Sequence, residues 1–204
     1  MKPLRLRRIF LLSPASTSGR RARILFSPRA SFALALRIRG PEGEPVGEVF
    51  SFLSGLYFRG KLAYARAFAQ PGSAIRVITC DRGLVSPDQR VTLEDLRSMA
   101  RGTIDPGHPA YRIPLERDAE QLAALLGRGA EVVLLGSIAT DKYAGILQRV
   151  FGPRLKFPES FVGRGDMSRG GLLLRAARQN EELAYRRLAG AVRRGKRPAR
   201  LTPV

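Results

Sequence analysis

Glu131-Val132-Val133-Leu134-Leu135-Gly136-Ser137-Ile138-Ala139-Thr140-Asp141-Lys142 holds a strand, a turn and the start of a helix within twelve residues. From Glu131 to Leu135 the run is apolar and partly β-branched, without polar alternation, which suits a strand buried on both faces. Gly136 and Ser137 stop it. Ala139 to Phe151 then follows a helical pattern, with Thr140 expected to cap and Asp141 favourably placed near the positive end of the helix dipole. Ile9 to Leu12 and Ile75 to Thr79 are two more runs of the same kind, each ending at turn-type residues.

Helical patterns separate these runs. Phe58, Leu62, Ala65 and Ala69 recur at i, i+4, i+7 and i+11, and Leu115 to Leu126 is rich in Ala, Leu, Glu and Gln before Gly127 and Gly129. Thr92-Leu93-Glu94-Asp95 reads as a helix start, with Thr92 as cap and Asp95 reaching back to its amide. Strands joined by helical crossovers imply an α/β fold, a single domain with a mainly parallel sheet flanked by helices. Near the C-terminus Leu173, Ala177, Ala184, Leu188 and Ala191 fit a helical stripe, while Leu172 to Leu174 equally suits a strand with a helix beginning near Asn180. The expected organisation is an α/β domain over residues 1–185 and a flexible basic tail over 186–204, with 41–45 and 102–109 as long loops.

Charge points to the partner. Of the formal +19, residues 1–40 carry ten Lys or Arg and no acid, residues 186–204 carry seven and none, and the stretch between sets 19 bases against 17 acids. Clustered cations attract polyanions and release counterions from a phosphate backbone, so DNA or RNA is the expected partner. Acidic lipid or an acidic protein would feel the same field. A single cysteine, Cys80, excludes an intrachain disulfide framework and a cysteine-based zinc cluster. The one histidine, His108, lies in the turn-rich Asp105-Pro106-Gly107-His108-Pro109 and reads as a loop residue. No stretch approaches the roughly 18 apolar residues of a spanning helix. The basic start followed by only Ile9 to Leu12 is too short for a secretory core, and although the acid-free first 40 residues have a transit-peptide composition, the apolar run reads better as a first strand. A cytoplasmic location is expected. Composition designates no cofactor and no oligomeric state.

In an open α/β sheet ligands collect beyond the carboxyl ends of the strands. Three loops are expected there. Ser13-Pro14-Ala15-Ser16-Thr17-Ser18-Gly19-Arg20-Arg21 offers hydroxyls and guanidiniums to a phosphate, with Ser13, Ser16, Arg20 and Arg21 as candidates, although it contains no Walker motif. Cys80-Asp81-Arg82 supplies Asp81 as a base or sugar-binding carboxylate, or as a partner for Arg82. Ser137 and the following helix start form an anion site, with Lys142 in the first turn where a cation is favoured only beside an anion. Phe161-Val162-Gly163-Arg164-Gly165-Asp166-Met167-Ser168-Arg169-Gly170-Gly171 reads as a glycine-rich loop able to approach a ligand, with Arg164 and Arg169 on phosphate and Asp166 as a second catalytic candidate. Tyr57, Lys61 and Tyr64, at i, i+4 and i+7, form a stripe suited either to stacking bases or to the rim of a core. Asp81, Asp141 and Asp166 are the carboxylates available for chemistry, and spacing alone brings no metal set together.

Leu11-Leu12-Ser13-Pro14-Ala15, then Ser54-Gly55-Leu56-Tyr57 ahead of a helix, then Ile78-Thr79-Cys80-Asp81-Arg82-Gly83-Leu84-Val85-Ser86-Pro87-Asp88 occur in an order that resembles the YaaA-like family, which includes bacterial peroxide-stress proteins. The resemblance spans roughly residues 9–142. Ser16 stands where the family has lysine, Cys80-Asp81 where it has small or aromatic residues, and Gly163 to Gly171 has no counterpart. It implies an α/β domain that binds or protects nucleic acid in a stress response. The expected function is therefore nucleic-acid binding in a cationic cleft at the strand ends. An enzyme acting on a nucleotide, nucleoside or modified base is the alternative, and an Arg-rich RNA-assembly factor the second.

Overall fold

All three unalternating runs become inner strands of one sheet, in a computed structural model that describes residues 6–71 and 73–199. The chain opens with β1 (Leu6–Leu12), followed by α1 (Arg20–Phe26), α2 (Ala33–Arg37), β2 (Glu44–Pro45), α3 (Val46–Ser54) and α4 (Leu56–Phe68). Next come β3 (Ser73–Ile78), β4 (Leu84–Val85), β5 (Arg90–Val91), α5 (Leu93–Arg101), α6 (Pro109–Leu125) and β6 (Leu126–Leu135). The chain continues through α7 (Asp141–Phe151), β7 (Leu155–Pro158), α8 (Asp166–Gln179) and β8 (Tyr185–Arg187). The six-stranded sheet has the order β4-β3-β1-β6-β7-β8; its inner pairings β3/β1, β1/β6 and β6/β7 are parallel, and β4 and β8 are antiparallel edges. β2 and β5 form a separate antiparallel pair.

Burial explains the absence of alternation. Ile9, Phe10, Leu11 and Leu12 are all fully buried, Phe10 and Leu12 facing one core and Ile9 and Leu11 the other. Val133 and Leu135 join the first core, Val132 and Leu134 the second. α3, α4 and α8 cover the first face, α6 and α7 the second. At about 25 cal/mol per Å² of apolar surface removed from water, two faces covered this way supply the main drive to fold.

Several local expectations change. Thr92 and Asp95 do form the reciprocal capping box, with the Asp95 amide donating to Thr92 Oγ1 at 3.2 Å and the Thr92 amide to Asp95 Oδ2 at 2.8 Å. Thr140 occupies the cap position of α7, but its side chain makes no capping hydrogen bond. α6 begins at Pro109, six residues before the expected Leu115, because Pro109 suits the first helical turn and the helix runs on through Pro114.

The glycine-rich stretch is not one loop. Its second half is the first part of α8, and Leu172 to Leu174 belongs to that helix, which ends at Asn180 in the left-handed region (φ 53°). Glycine is tolerated inside α8 because the helix crosses α4 at close range. A Cβ on Gly170 would lie 2.7 Å from the Leu56 carbonyl oxygen, and one on Gly60 2.6 Å from the Gly170 carbonyl oxygen. The expected boundary at 185/186 falls inside β8: Arg186 and Arg187 pair with β7, and Leu188 is buried in the second core. Beyond it Arg193 pairs with Asp141. Lys2, Arg5 and the last five residues of the basic tail, 200–204, lie outside the described residues.

Candidate functional site

β1 and β6 lie side by side at the centre of the sheet, but the chain leaves β1 toward β3 on one side and later returns to β6 on the other. Connections that diverge in this way leave a crevice beyond the carboxyl ends of the two strands. A cleft of about 620 Å³ opens there. One wall is the Ser13–Ser18 loop after β1, and another is Ser137, Thr140, Lys142 and Tyr143 around the start of α7. Ser54 and Tyr57 close it from α3 and α4, Cys80 and Met99 from the β3 end and α5, and Asp166 from α8.

Ser13 is held at the bottom. Its amide donates to the Leu135 carbonyl at 3.2 Å, which extends the β1/β6 ladder by one residue. Gly136 is required opposite it, since a Cβ there would lie 2.8 Å from both Ser13 Cβ and the Tyr143 hydroxyl. Tyr143, buried at the start of α7, brings its hydroxyl close to the Ser13 side chain and the Ser137 backbone. Burial raises its titration above the ordinary tyrosine range.

From the other side comes Lys61. The side chain is wholly buried, and Nζ donates to the Ser13 carbonyl at 2.5 Å and to Ser13 Oγ at 2.9 Å. The ammonium lies 4.4 Å from the Tyr57 ring centroid and 4.7 Å from that of Phe58. Among the described residues no carboxylate forms an ion pair with it. Burial penalises the charged form and brings the amine down to about 7; Asp166 pulls it upward and Arg169 pushes it further down.

Arg169 is the second buried cation, with Nε donating to the Phe161 carbonyl at 3.2 Å and Nη1 to Asp166 Oδ1 at 3.3 Å. The α4/α8 crossing at Gly60 and Gly170 brings this pair beside Tyr57. Tyr57 is only 5% exposed, lines the cleft, and leaves its hydroxyl without a hydrogen-bond partner. A buried polar group left unpaired costs about 1–3 kcal/mol, so this hydroxyl, in a residue of the cleft wall, is a donor not used within the fold. The Tyr57 phenol is pushed up by burial, against which the nearby Arg169 guanidinium acts through its charge and as a donor close to the hydroxyl, without reaching hydrogen-bond geometry.

Of the residues proposed from sequence, Ser13, Ser16, Tyr57, Ser137, Lys142 and Asp166 line the cleft together. Lys61 and Arg169 lie beneath it. The stripe of Tyr57, Lys61 and Tyr64 is therefore no exposed stacking surface: all three are buried, and Tyr64 bonds to the Tyr185 hydroxyl at 2.6 Å. Arg164 is turned to the Ser160 carbonyl at 3.0 Å and Ser168 Oγ at 3.1 Å. Arg20 is exposed at the start of α1, whereas Arg21 donates to the Phe52 carbonyl at 2.9 Å and lines a separate groove. Asp81 does not line the cleft; it pairs with Arg82 at 3.8 Å, and Arg82 in turn with Asp95 at 2.5 Å. Cys80, its neighbour, does line the cleft, but burial pushes the thiol up to about 11 and its Sγ donates to the Met99 carbonyl at 3.1 Å, so it stays protonated at neutral pH.

The sequence reading missed Tyr143 and mistook the place of Lys61. Lys61 carried a signal: together with Phe58, Leu62 and Ala65 it completes an i, i+3, i+4, i+7 apolar stripe, so it stands on the core face of α4. Among the described residues, no group of three or more His, Cys, Asp or Glu side chains is placed to hold a metal ion. No helix among them is long and apolar enough to cross a membrane. No family model, curated protein or solved structure matches the chain.

Proposed function

We propose that the cleft between the ends of β1 and β6 receives one phosphorylated nucleotide unit, either free or at an exposed position of a DNA or RNA strand. The observation that carries this reading is the unpartnered Tyr57 hydroxyl, set beside buried Arg169 and Lys61 at the bottom of a hydroxyl-lined cleft. The volume of about 620 Å³ lies in the range of small-molecule sites and suits one nucleotide, not a duplex. Hydroxyls of Ser16, Thr17, Ser18 and Ser137 and the Lys142 ammonium supply phosphate contacts, and the aromatic wall of Tyr57 supplies a face for a base or sugar. The excess of Lys and Arg at both chain ends gives the protein a field that attracts polyanions. With the resemblance noted above, this extends to a cytoplasmic role in nucleic-acid protection under stress.

Titration with nucleoside 5′-monophosphates, and their competition against a 5′-phosphorylated single strand, tests the reading. A saturable complex that survives about 0.3 M salt, where distant charges are screened, and that weakens in Tyr57→Phe is expected. Binding confined to low salt and indifferent to Tyr57→Phe would contradict it. A second reading, an enzyme acting on a nucleotide, nucleoside or modified base, is favoured by one contact, that of the Lys61 amine with the Ser13 hydroxyl.

A further inference from the structure

A lysine buried without a carboxylate partner is an expensive way to fasten a loop. Taking an unpaired ammonium out of water costs several kcal/mol, and an apolar side chain of similar length would fill the same space without that penalty. Among the described residues Lys61 Nζ donates hydrogen bonds to one residue, Ser13, whose side chain stands at the carboxyl end of the central strand. Ser13 Oγ is thereby set between an amine at 2.9 Å and the Tyr143 hydroxyl. A hydroxyl within hydrogen-bond reach of a base, with a third group orienting the pair, is the arrangement of an activated nucleophile.

We propose that Ser13 is a catalytic nucleophile and Lys61 its general base, acting on the phosphate ester or anhydride bond of a nucleotide held in the cleft. The proposal rests on the nucleotide reading for its substrate class but not for its chemistry. In the first step the neutral Lys61 amine takes the Ser13 Oγ proton while an Oγ–P bond forms and the bond from phosphorus to the leaving oxygen breaks. The leaving oxygen receives that proton from the Lys61 ammonium. Water then gives a proton to Lys61 as its oxygen attacks phosphorus; Ser13 Oγ departs and recovers the proton. The sum is hydrolysis, with no change of oxidation state. Tyr57 in the cleft wall and the fixed Arg169 charge beneath it supply a preorganised positive field for the phosphoryl oxygens, the kind of arrangement that lowers such barriers most.

The charged and titratable groups around Lys61 are Tyr57 on its own helix, Tyr143 on α7, and Asp166 and Arg169 on α8. Their sum leaves an amine that is substantially neutral at physiological pH, a condition an ordinary surface lysine does not meet.

The test uses diisopropyl fluorophosphate, a phosphorylating probe whose fluoride leaves as the Oγ–P bond forms. The intact chain is expected to gain one phosphoryl adduct, mapped to Ser13 by peptide mass analysis, at a rate that rises with pH through a midpoint near 7. Ser13→Ala should take no adduct. Lys61→Met, close in length and apolar, should label at least about 100-fold more slowly, the lower end of what a positioned base contributes. A folded wild-type chain that leaves Ser13 unlabelled, or a labelling rate flat from pH 6 to 9, overturns the dyad whatever becomes of the variants. Titration with nucleoside 5′-monophosphates separates the two claims: labelling without nucleotide binding keeps the dyad and removes the substrate class, and nucleotide binding without labelling does the reverse.

Discussion

Gly170→Ala is the substitution in which local propensity and tertiary packing make opposite demands. Gly170 lies inside α8, and alanine in an exposed helix interior is favoured over glycine by about 1 kcal/mol. Here the added methyl would meet the Leu56 carbonyl oxygen at 2.7 Å, the Leu56 carbonyl carbon at 2.8 Å and Tyr57 Cα at 2.8 Å. These are backbone atoms of α4 and cannot swing aside, so the two helices must separate. Overpacking of this kind costs about 1–3 kcal/mol, and against backbone we take the upper part of that range. Subtracting the propensity gain leaves a net loss of roughly 1–2 kcal/mol, or about 3–6 °C in melting temperature for a chain of this size. Gly145→Ala in α7 is the matched control: its methyl would find its nearest neighbour, Asp141 Oδ1, at an ordinary 3.5 Å, so this change should stabilise by about 0.5–1 kcal/mol. Urea and thermal unfolding of the two variants give the comparison. If Gly170→Ala proves as stable as wild type or more so, the close α4/α8 crossing is not what holds Arg169 and Asp166 beside Tyr57.

Tyr57→Phe removes an unpaired buried hydroxyl, so stability should hold or rise by up to about 1 kcal/mol in urea titrations while mononucleotide affinity falls about 3- to 10-fold, the net value of one lost hydrogen bond. Folded Lys61 releases its proton near 7 against an ordinary 10.5, so between those values the unfolded chain binds more protons and stability rises with pH. Subtracting the stability–pH curve of Lys61→Met from that of wild type should expose this rise, and a flat difference would show the amine to be an ordinary one. Thr92→Ala breaks the α5 capping box and should cost about 1 kcal/mol in equilibrium unfolding. Nucleic-acid affinity measured by filter binding should fall by roughly 10³ or more between 50 and 200 mM salt if about six phosphates are contacted.

What could be read from the chain was what local pattern determines. The runs at Ile9, Ile75 and Glu131 became inner strands because a strand covered on both faces has no polar alternation to disguise it. The Thr92 box was legible because its two hydrogen bonds join residues three apart. α8 was misread because four glycines argue for a loop by propensity, and only the approach of α4, more than a hundred residues away in sequence, gives Gly170 a packing reason to be helical. The first turns of α6 were hidden by Pro114, which reads as a break. For the site, Ser13, Ser16, Ser137 and Lys142 meet on one cleft because the architecture alone sends the strand-end loops there. Asp81 and Cys80 are adjacent in the same loop, yet only the cysteine faces the cleft, a distinction that a loop without regular periodicity does not encode. Arg164 and Arg169 looked equivalent in sequence, but the helix that begins between them buries one against Phe161 and turns the other to the Ser160 carbonyl.

Amide chemical-shift mapping with a nucleoside 5′-monophosphate on the isotopically labelled chain tests the central claim most directly, because it reports where the ligand sits without presuming what becomes of it. The largest perturbations are expected at residues 13–18, 54–57 and 137–143, the three segments that converge on the ends of β1 and β6. Shifts confined to α1 and to the basic residues beyond Leu188, with those three segments unmoved at saturating nucleotide, would contradict it.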